Sequence, residues 1–430
     1  MNSHYVIAGE HWYLNDHNML RNGRGKVFIL NDLSFYIIKT VLEEIESGMN
    51  NPLFNISVEN LFDIVLNERI ESIKKRLEKE YDIDDIIRIY KDCSRLFTII
   101  RNNDVMNHEF YSISGRIPAP VHIDFALTYR CNNDCYHCYH GGSKPENELR
   151  RDEIALALDK LGNAGVFEIN FTGGEPLLRL DDLEYLINKY GDYFNVQVAT
   201  NGRLLSSEIC ERFKNKVKNI QISIQHVLSR EHDLMCGSDG AWRDTVQGIT
   251  NAVTSGIGLT TLTTLQKENK DSIDELVIFL AETGVKTIGI NSLFYSEQSR
   301  IPDSCRISKL ELSDITKRIK KVAEDHGSAI NFMFPICYRI LDPVNVVGNF
   351  RRCSATVNTL AIEPDGKVIP CSCWFHENCG NIVSDDWSKI WTSDTVLRIR
   401  NRKPPSECVR CEWIDKCNGA CPLEECSRCS

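Results

Sequence analysis

Cys131, Cys135 and Cys138 fall within eight residues, spaced Cys-x3-Cys-x2-Cys. Three thiols this close can wrap one inorganic cluster from a single short loop, and thiolates are the ligands that iron–sulfur clusters take. Three ligands leave one iron of a four-iron cluster without a protein ligand, and an open position is what a catalytic rather than a structural metal site needs. The same spacing is also half of a zinc site, so it has to be weighed with its surroundings. Those surroundings contain Thr172-Gly173-Gly174-Glu175-Pro176, Thr200-Asn201-Gly202, and the group Ser223, Gln225 and His226. Two adjacent glycines let a backbone approach a bound ligand closely, and the Glu175 carboxylate can accept from an ammonium group.

The elements that must position these residues follow from periodicity. Runs rich in β-branched residues over 122–127, 167–171, 195–199, 220–224, 258–265 and 286–290 alternate with amphipathic helical patterns such as 152–161, 181–190 and 272–282. Strands alternating with helices imply a parallel sheet with helical crossovers. Six such units are too few for a closed eight-stranded barrel and suit an open one. In parallel β/α barrels the site forms where the strands end at their C-termini, and the cysteine loop, the Gly-Gly turn, Thr200-Asn201 and Ser223-Gln225 all fall on that rim.

On these residues the chain resembles the radical S-adenosylmethionine enzymes, whose signature is CxxxCxxC after the first strand and GGEP after the second strand of a partial (β/α)6 barrel. The resemblance implies that Cys131, Cys135 and Cys138 hold a [4Fe–4S] cluster chelated at its free iron by S-adenosylmethionine. By the same resemblance His137 packs against the adenine, Gly173, Gly174 and Glu175 meet the methionine amino group, and Ser223 contacts the cofactor, with Thr200, Asn201 and Gln225 on the same rim. Many relatives carry Asp where this chain has Gln225. At the fifth strand only Gln266 and Lys267 stand where an Arg for the carboxylate is expected.

Eleven of the eighteen cysteines lie between residues 337 and 429. Cys353 precedes Gly366 and Cys371, and Cys408-x2-Cys411-x5-Cys417-x3-Cys421 is followed by Cys426 and Cys429. This is similar to the SPASM extension of the same superfamily, which implies two auxiliary [4Fe–4S] clusters. The first would take Cys353, Cys371 and Cys421, with Cys337, Cys373, Cys379 or an open iron completing it; the second would take Cys408, Cys411 and Cys417 with Cys426 or Cys429. A zinc knuckle is the competing reading of the CxxC pair. Cys93, Cys210, Cys236 and Cys305 are scattered and read as ordinary buried thiols.

The first hundred residues show strand-like runs at 5–8 and 26–30, then helical patterns at 32–46 and 58–81, and a polar, proline-ended stretch over 101–120 reads as a linker. This part resembles the winged-helix recognition element fused to many SPASM enzymes that modify ribosomally made peptides. The expected organisation is a peptide-recognition domain over 1–105, the radical barrel over 118–305, and a SPASM domain over 306–430.

With 50 Lys and Arg against 60 Asp and Glu, the net charge of −10 has the wrong sign for holding nucleic acid by phosphate neutralisation. The basic run 398–403 reads as a solvated face. No apolar run spans a bilayer and no signal peptide is evident, so a cytoplasmic protein without membrane partners is expected. In a reducing cytosol, cysteines at this density point to metal rather than to disulfides. The resemblance implies an enzyme that cleaves S-adenosylmethionine to a 5′-deoxyadenosyl radical. Its product would be a crosslink, thioether or carbon–carbon, in a leader-bearing precursor peptide, with a flavodoxin- or ferredoxin-type reductant. Peptide epimerisation or formylglycine formation is the alternative chemistry, and a non-catalytic iron–sulfur electron carrier or zinc-binding protein the alternative class.

Overall fold

The computed structural model describes residues 3–7, 10–15, 19–22, 27–29, 111–112, 119–141, 147–293, 305–333, 353–417 and 419–423. The chain divides into two compact units, Met1–Pro118 and Ala119–Ser430. In the first, β1 (Ser3–Ile7), β2 (Glu10–Asn15), β3 (Met19–Asn22) and β4 (Val27–Ile29) form an antiparallel meander, and β5 (Tyr111–Ser112) adds parallel to β4. Periodicity anticipated β1 and β4. It passed over β2 and β3, whose sequences EHWYLN and MLRN are too polar to read as strands alone. It also treated β5 as linker. The helical patterns at 32–46 and 58–81 lie outside the described residues.

The second unit is built on a ten-stranded sheet. Its expected strands are β6 (His122–Thr128), β7 (Glu168–Gly173), β8 (Asn195–Thr200), β9 (Val217–Ser223), β10 (Leu259–Leu265) and β11 (Thr287–Ser292), parallel and in sequential order. Between them run α1 (Arg151–Ala164), α2 (Leu180–Tyr190), α3 (Ser207–Phe213), the pair α4 (Ser229–Cys236) and α5 (Ala241–Ser255), and α6 (Ile273–Glu282). The sheet does not stop at six. After α7 (Lys309–Asp325), β12 (Ala329–Phe332) adds parallel to β11, and β13 (Thr359–Ile362) adds parallel to β6 from the other side. An antiparallel pair, β14 (Lys367–Ile369) and β15 (Gly380–Asn381), completes it. The cysteine-rich tail is therefore part of the same sheet as the barrel.

Period-two alternation sorts the strands into two faces. Ile123, Phe125, Ile169, Phe171, Val196, Val198, Ile220, Ile222, Ile288 and Ile290 are buried against the helical layer. The opposite, inner face carries His122, Asp124, Glu168, Asn170, Gln197, Asn219, Gln221, Thr260 and Thr287, in register across the ladder. An inner face this polar is suited to lining a binding site rather than to packing as an apolar core.

A charged network on this inner face reaches the tail through the Ser372 hydroxyl. His122 Nδ1 lies 2.6 Å from Glu168 and Nε2 lies 2.9 Å from Asp124. Asp124 also accepts from Asn170 at 2.8 Å and from the Ser372 hydroxyl at 2.6 Å. Burial pulls the His122 pKa down, but the two carboxylates outweigh it and raise it to about 10. Burial likewise opposes ionisation of Asp124, yet His122 and its hydrogen bonds hold it below its ordinary value. His122→Leu would leave two carboxylates without their cation, and a loss of about 3–5 kcal/mol is expected in urea denaturation. His122 contributes fully below its ordinary 6.5 and loses that contribution as pH rises through about 10. Asp124 contributes above its ordinary 3.8 and loses it as pH falls. Stability from this network should thus be greatest between about 4 and 6.5, in wild type but not in the variant.

A second tie comes from α1, where Lys160 donates to the carbonyls of Ile382 (2.6 Å) and Asp385 (2.7 Å). The basic run 398–403 is not simply a solvated face. Arg400 lies 4.0 Å over the Trp391 ring and donates to the Thr356 carbonyl at 2.8 Å, while Arg398 pairs with Glu377.

Candidate iron–sulfur and cofactor site

The cysteine loop leaves β6 at Thr128 and is clamped by three elements. From the turn after β7, the N–H groups of Gly174 and Glu175 donate to the carbonyls of Thr128 (2.7 Å) and Arg130 (2.9 Å). From the turn after β8, Arg203 donates to the Asn132 carbonyl (2.7 Å) and the Asn133 side chain (2.8 Å), and Asn201 donates to the Asn132 side chain at 2.6 Å. From the end of α4, the Cys236 carbonyl accepts from Asp134 N–H at 2.9 Å. Inside the loop, turns from Cys138 N–H to the Cys135 carbonyl (3.2 Å) and from Gly141 N–H to the Cys138 carbonyl (3.1 Å) set the second and third thiols.

The glycines serve this clamp. A Cβ on Gly173, whose φ is +135°, would sit 2.0 Å from the Thr128 carbonyl oxygen, and one on Gly174 would sit 2.4 Å from that of Arg130. What a side chain there would strike is the protein's own backbone. Glu175 differs from expectation. It is fully buried, and its carboxylate accepts from Leu177 N–H (3.0 Å), the Thr200 hydroxyl (2.7 Å) and Asn201 N–H (2.8 Å). Burial pushes its pKa up against those three donors. Glu175 and Thr200 therefore brace the rim from behind. Asn201 reaches forward, its amide 3.8 Å from the Cys131 sulfur.

Ser223 ends β9 on the inner face, half-buried and opposite Leu262. Gln225 is buried, its side-chain oxygen accepting from Thr264 N–H at 3.0 Å, which joins the ends of β9 and β10. His137 packs edge-on against Tyr136 with ring centres 5.3 Å apart. Burial, then the neighbouring His232, lowers its pKa to about 4, so it is neutral at pH 7.

Several groups here are buried without a hydrogen-bond partner: Nδ1 of His137, the Tyr136 hydroxyl, both carboxamide atoms of Gln266 and Oδ1 of Asn291. Each such group costs about 1–3 kcal/mol unless a ligand or water satisfies it. The thiols point the same way. Burial first, then Glu175, Cys135 and Cys138, push the Cys131 pKa to about 11, with only Asn133 N–H opposing. Sulfurs that mutually disfavour ionisation are relieved by a cationic partner, and iron binding must displace their protons. Among the described residues, no three His, Cys, Asp or Glu side chains converge on a single metal ion. The orphaned polar groups and the open thiol triad fit a cluster with a chelating polar cofactor.

In the tail, Cys353 and Cys371 pack in one cluster with Trp374, Ile399 and Leu423. Burial and then the neighbouring Cys373, Cys353 and Cys421 raise the Cys371 pKa, and burial, then Cys421 and Asp124, pushes Cys373 up to about 12. Cys379 stands apart, among Glu377, Lys367 and Arg398. Cys408 and Cys411 close one turn, Cys411 N–H donating to the Cys408 carbonyl at 2.9 Å, and Cys417 ends the short helix α8 (Ile414–Cys417). Cys337, Cys426 and Cys429 lie outside the described residues, as does Cys93. Tyr139, next to Cys138, stacks on Phe375 of the tail at 6.1 Å.

The radical SAM superfamily model matches residues 125–280, which holds the cysteine loop and strands β7 to β10. The SPASM iron–sulfur cluster-binding domain matches 353–412. The chain thus carries a radical SAM domain over 125–280 and a SPASM domain over 353–412. Among curated relatives of this radical SAM–SPASM protein, the Fe-coproporphyrin III synthase of Methanosarcina barkeri is 27% identical over 68% of this chain and 81% of that protein. The antilisterial bacteriocin subtilosin biosynthesis protein AlbA of Bacillus subtilis is 27% identical over 71% of this chain and 66% of that protein. The mycofactocin maturase MftC of Mycobacterium tuberculosis is 24% identical over 71% and 79%. Among solved structures, Streptococcus suis SuiB bound to precursor peptide SuiA aligns with TM-score 0.69 at 13% identity, covering 98% of this chain and 96% of SuiB, a likeness of fold.

Sequence reasoning missed Arg203, Cys236 and His232 as parts of the site. Arg203 follows Thr200-Asn201-Gly202 directly, so position on the rim was the available signal. Cys236 and His232 lie far along the chain from the loop and gave none. No helix among the described residues is long and apolar enough to cross a membrane.

Proposed function

We propose that this radical SAM–SPASM enzyme is a peptide maturase that installs a thioether or carbon–carbon crosslink in a ribosomally made, leader-bearing precursor peptide. Cys131, Cys135 and Cys138 hold the catalytic [4Fe–4S] cluster. When bound and reduced by a flavodoxin- or ferredoxin-type partner, the cluster with S-adenosylmethionine supplies a 5′-deoxyadenosyl radical able to take a hydrogen atom from substrate. His137, the backbone of Gly173 and Gly174, Asn201 and Ser223 face the cofactor, while Glu175, Thr200 and Gln225 hold the strand ends that carry them. The polar inner face of β6 to β11 receives the substrate and orients it, which is the protein's main contribution when a cofactor carries the chemistry.

The observation that carries the peptide reading is the N-terminal sheet. The SuiB match extends over nearly the whole chain, N-terminal unit included, whereas the curated relatives, tetrapyrrole and peptide enzymes alike, align over 68–71% of it. In the described sheet β1 pairs on one side only, with β2. An open strand edge accepts an extended peptide by strand addition. The deciding experiment is mass spectrometry of a candidate precursor coexpressed with the enzyme: a crosslink requires a product lighter by two hydrogens, and an unmodified peptide opposes the reading. The tetrapyrrole relatives favour a second reading, which conversion of iron-coproporphyrin by the anaerobically reconstituted enzyme would establish instead.

Two auxiliary clusters complete the proposal. Cys353, Cys371, Cys373 and Cys421 hold the first, with Cys373 preferred to Cys379 for its place beside Cys421; Cys337 lies outside the described residues. Cys408, Cys411, Cys417 and one of Cys426 and Cys429 hold the second. Three four-iron clusters give about twelve irons per chain. Cys373→Ala should lower that count by as many as about four irons, whereas Cys379→Ala should leave it unchanged. Equal loss in both variants would remove Cys373 from the ligand set.

A further inference from the structure

The cysteine loop is bracketed by rings at both ends, Tyr129 shortly before Cys131 and Tyr139 and His140 directly after Cys138. With one ring from the tail, Phe375, they form a closed circuit. Tyr129 stacks on His140 with ring centres 4.8 Å apart, and His140 meets Tyr139 edge-on at 5.6 Å. Tyr139 stacks on Phe375 at 6.1 Å, and Phe375 meets Tyr129 edge-on at 6.4 Å. Tyr129, His140 and Phe375 are buried, and Ala126, Ala361 and Ile369 pack with Tyr129 and Phe375. One side chain of the tail therefore touches both ends of the loop.

Phe375 is itself held from the tail side. Lys367 Nζ donates to the Phe375 carbonyl at 2.6 Å and pairs with Glu363 at 3.1 Å, and Glu363 accepts from the Tyr129 hydroxyl at 3.4 Å. Just upstream, Ser372 donates to Asp124 of β6 at 2.6 Å. The segment that carries Cys371 and Cys373 is thus fastened to the barrel at Ser372 and at Phe375. On the far side of the circuit the Tyr139 hydroxyl donates to the Gly173 carbonyl at 3.4 Å, in the turn whose N–H groups clamp the Thr128 and Arg130 carbonyls. Close-packed groups pass displacement on because they leave no slack. Loss of the Phe375 ring would free the residue next to Cys138 and the adjoining turn together.

We propose that Phe375 is a positioning residue for the catalytic site, supplied by the auxiliary-cluster tail, and that its ring closes the circuit holding both ends of the cysteine loop in the geometry that S-adenosylmethionine binds. This rests on the reading that Cys131, Cys135 and Cys138 hold the cofactor-binding cluster. Tail and barrel are thereby coupled. A disturbance of the Cys371–Cys373 segment is felt at the cofactor site, and cofactor binding is felt in the tail, because coupling between two sites is reciprocal.

The test is equilibrium binding of S-adenosylmethionine to the anaerobically reconstituted full-length enzyme, with iron counted in every sample. Phe375→Leu keeps an apolar side chain and removes the ring. Aromatic pairs contribute enough beyond their buried area to shift an equilibrium roughly 2- to 10-fold, so the Kd should rise by that factor at unchanged iron content. Tyr139→Leu should do the same, and Tyr139→Phe, which keeps the ring, should recover the wild-type Kd. In the double variant Tyr139→Leu/Phe375→Leu the rise should fall short of the product of the two single effects, because both break one contact. An unchanged Kd in Phe375→Leu at full iron content would overturn the proposal, as would single effects that multiply in the double variant. If Phe375→Leu does not load iron, the Tyr139 pair decides, and equal Kd values for Tyr139→Leu and Tyr139→Phe overturn it. Failure of the wild-type enzyme to bind S-adenosylmethionine would instead refute the underlying cluster assignment.

Discussion

Alanine at Cys131, Cys135 and Cys138 together should abolish dithionite-dependent formation of 5′-deoxyadenosine while the protein stays folded and retains its tail iron. The expectation follows from where the loop sits. Its backbone is fixed by Gly174, Glu175, Arg203 and Cys236, none of which needs the three thiols, so removing them should leave the loop standing. The tail cysteines pack around Trp374 and Ile399 and supply their own ligand sets. Iron should therefore fall from about twelve to about eight per chain. Product formation should drop to the level without enzyme, because the cofactor carries the chemistry and no other group in the site replaces it. Persistence of 5′-deoxyadenosine in the triple variant would mean that the radical arises elsewhere.

The second large effect is expected from Gly173→Ala. The methyl group would enter to 2.0 Å of the Thr128 carbonyl, and the backbone stands at φ +135°, which L side chains rarely adopt. The partner is backbone on a central strand, so no side chain can swing away. The turn must move, and with it the Gly174 and Glu175 hydrogen bonds that clamp the cysteine loop. Overpacking of this kind costs about 1–3 kcal/mol. A displacement of about 1 Å at a site that depends on placement costs on the order of 100-fold in rate. Cofactor cleavage should fall by that factor and the melting temperature should drop. Wild-type activity in Gly173→Ala would show that the turn is not what positions the loop.

Much of this architecture was legible in the sequence because the informative residues are contiguous. Cys131 to Cys138 and Thr172 to Pro176 each sit in one turn, and β6 to β11 are regular enough for alternation to find them. The shorter strands were not legible. β12 and β13 have four residues each, too few for a period, and their place is decided by a sheet edge that only the folded chain offers. Direction was also hidden. Residue type at the rim could not say that Glu175 turns inward to Thr200 and Asn201, because two of its three donors come from the end of another strand. The Ser372–Asp124 bond joins positions 248 residues apart, and the Cys236 carbonyl takes the Asp134 N–H of the cysteine loop from the end of α4. Such partners are set by tertiary packing, so local pattern carries no trace of them.

Everything rests on one iron at the Cys131 loop being left for the cofactor. Electron–nuclear double resonance on the reduced enzyme with S-adenosylmethionine labelled at its amino nitrogen and carboxylate oxygen reads that iron directly. The account predicts strong couplings to both labels, lost in the variant with Ala at Cys131, Cys135 and Cys138. No coupling to either label in a wild-type enzyme that carries its full iron and binds the cofactor would contradict it.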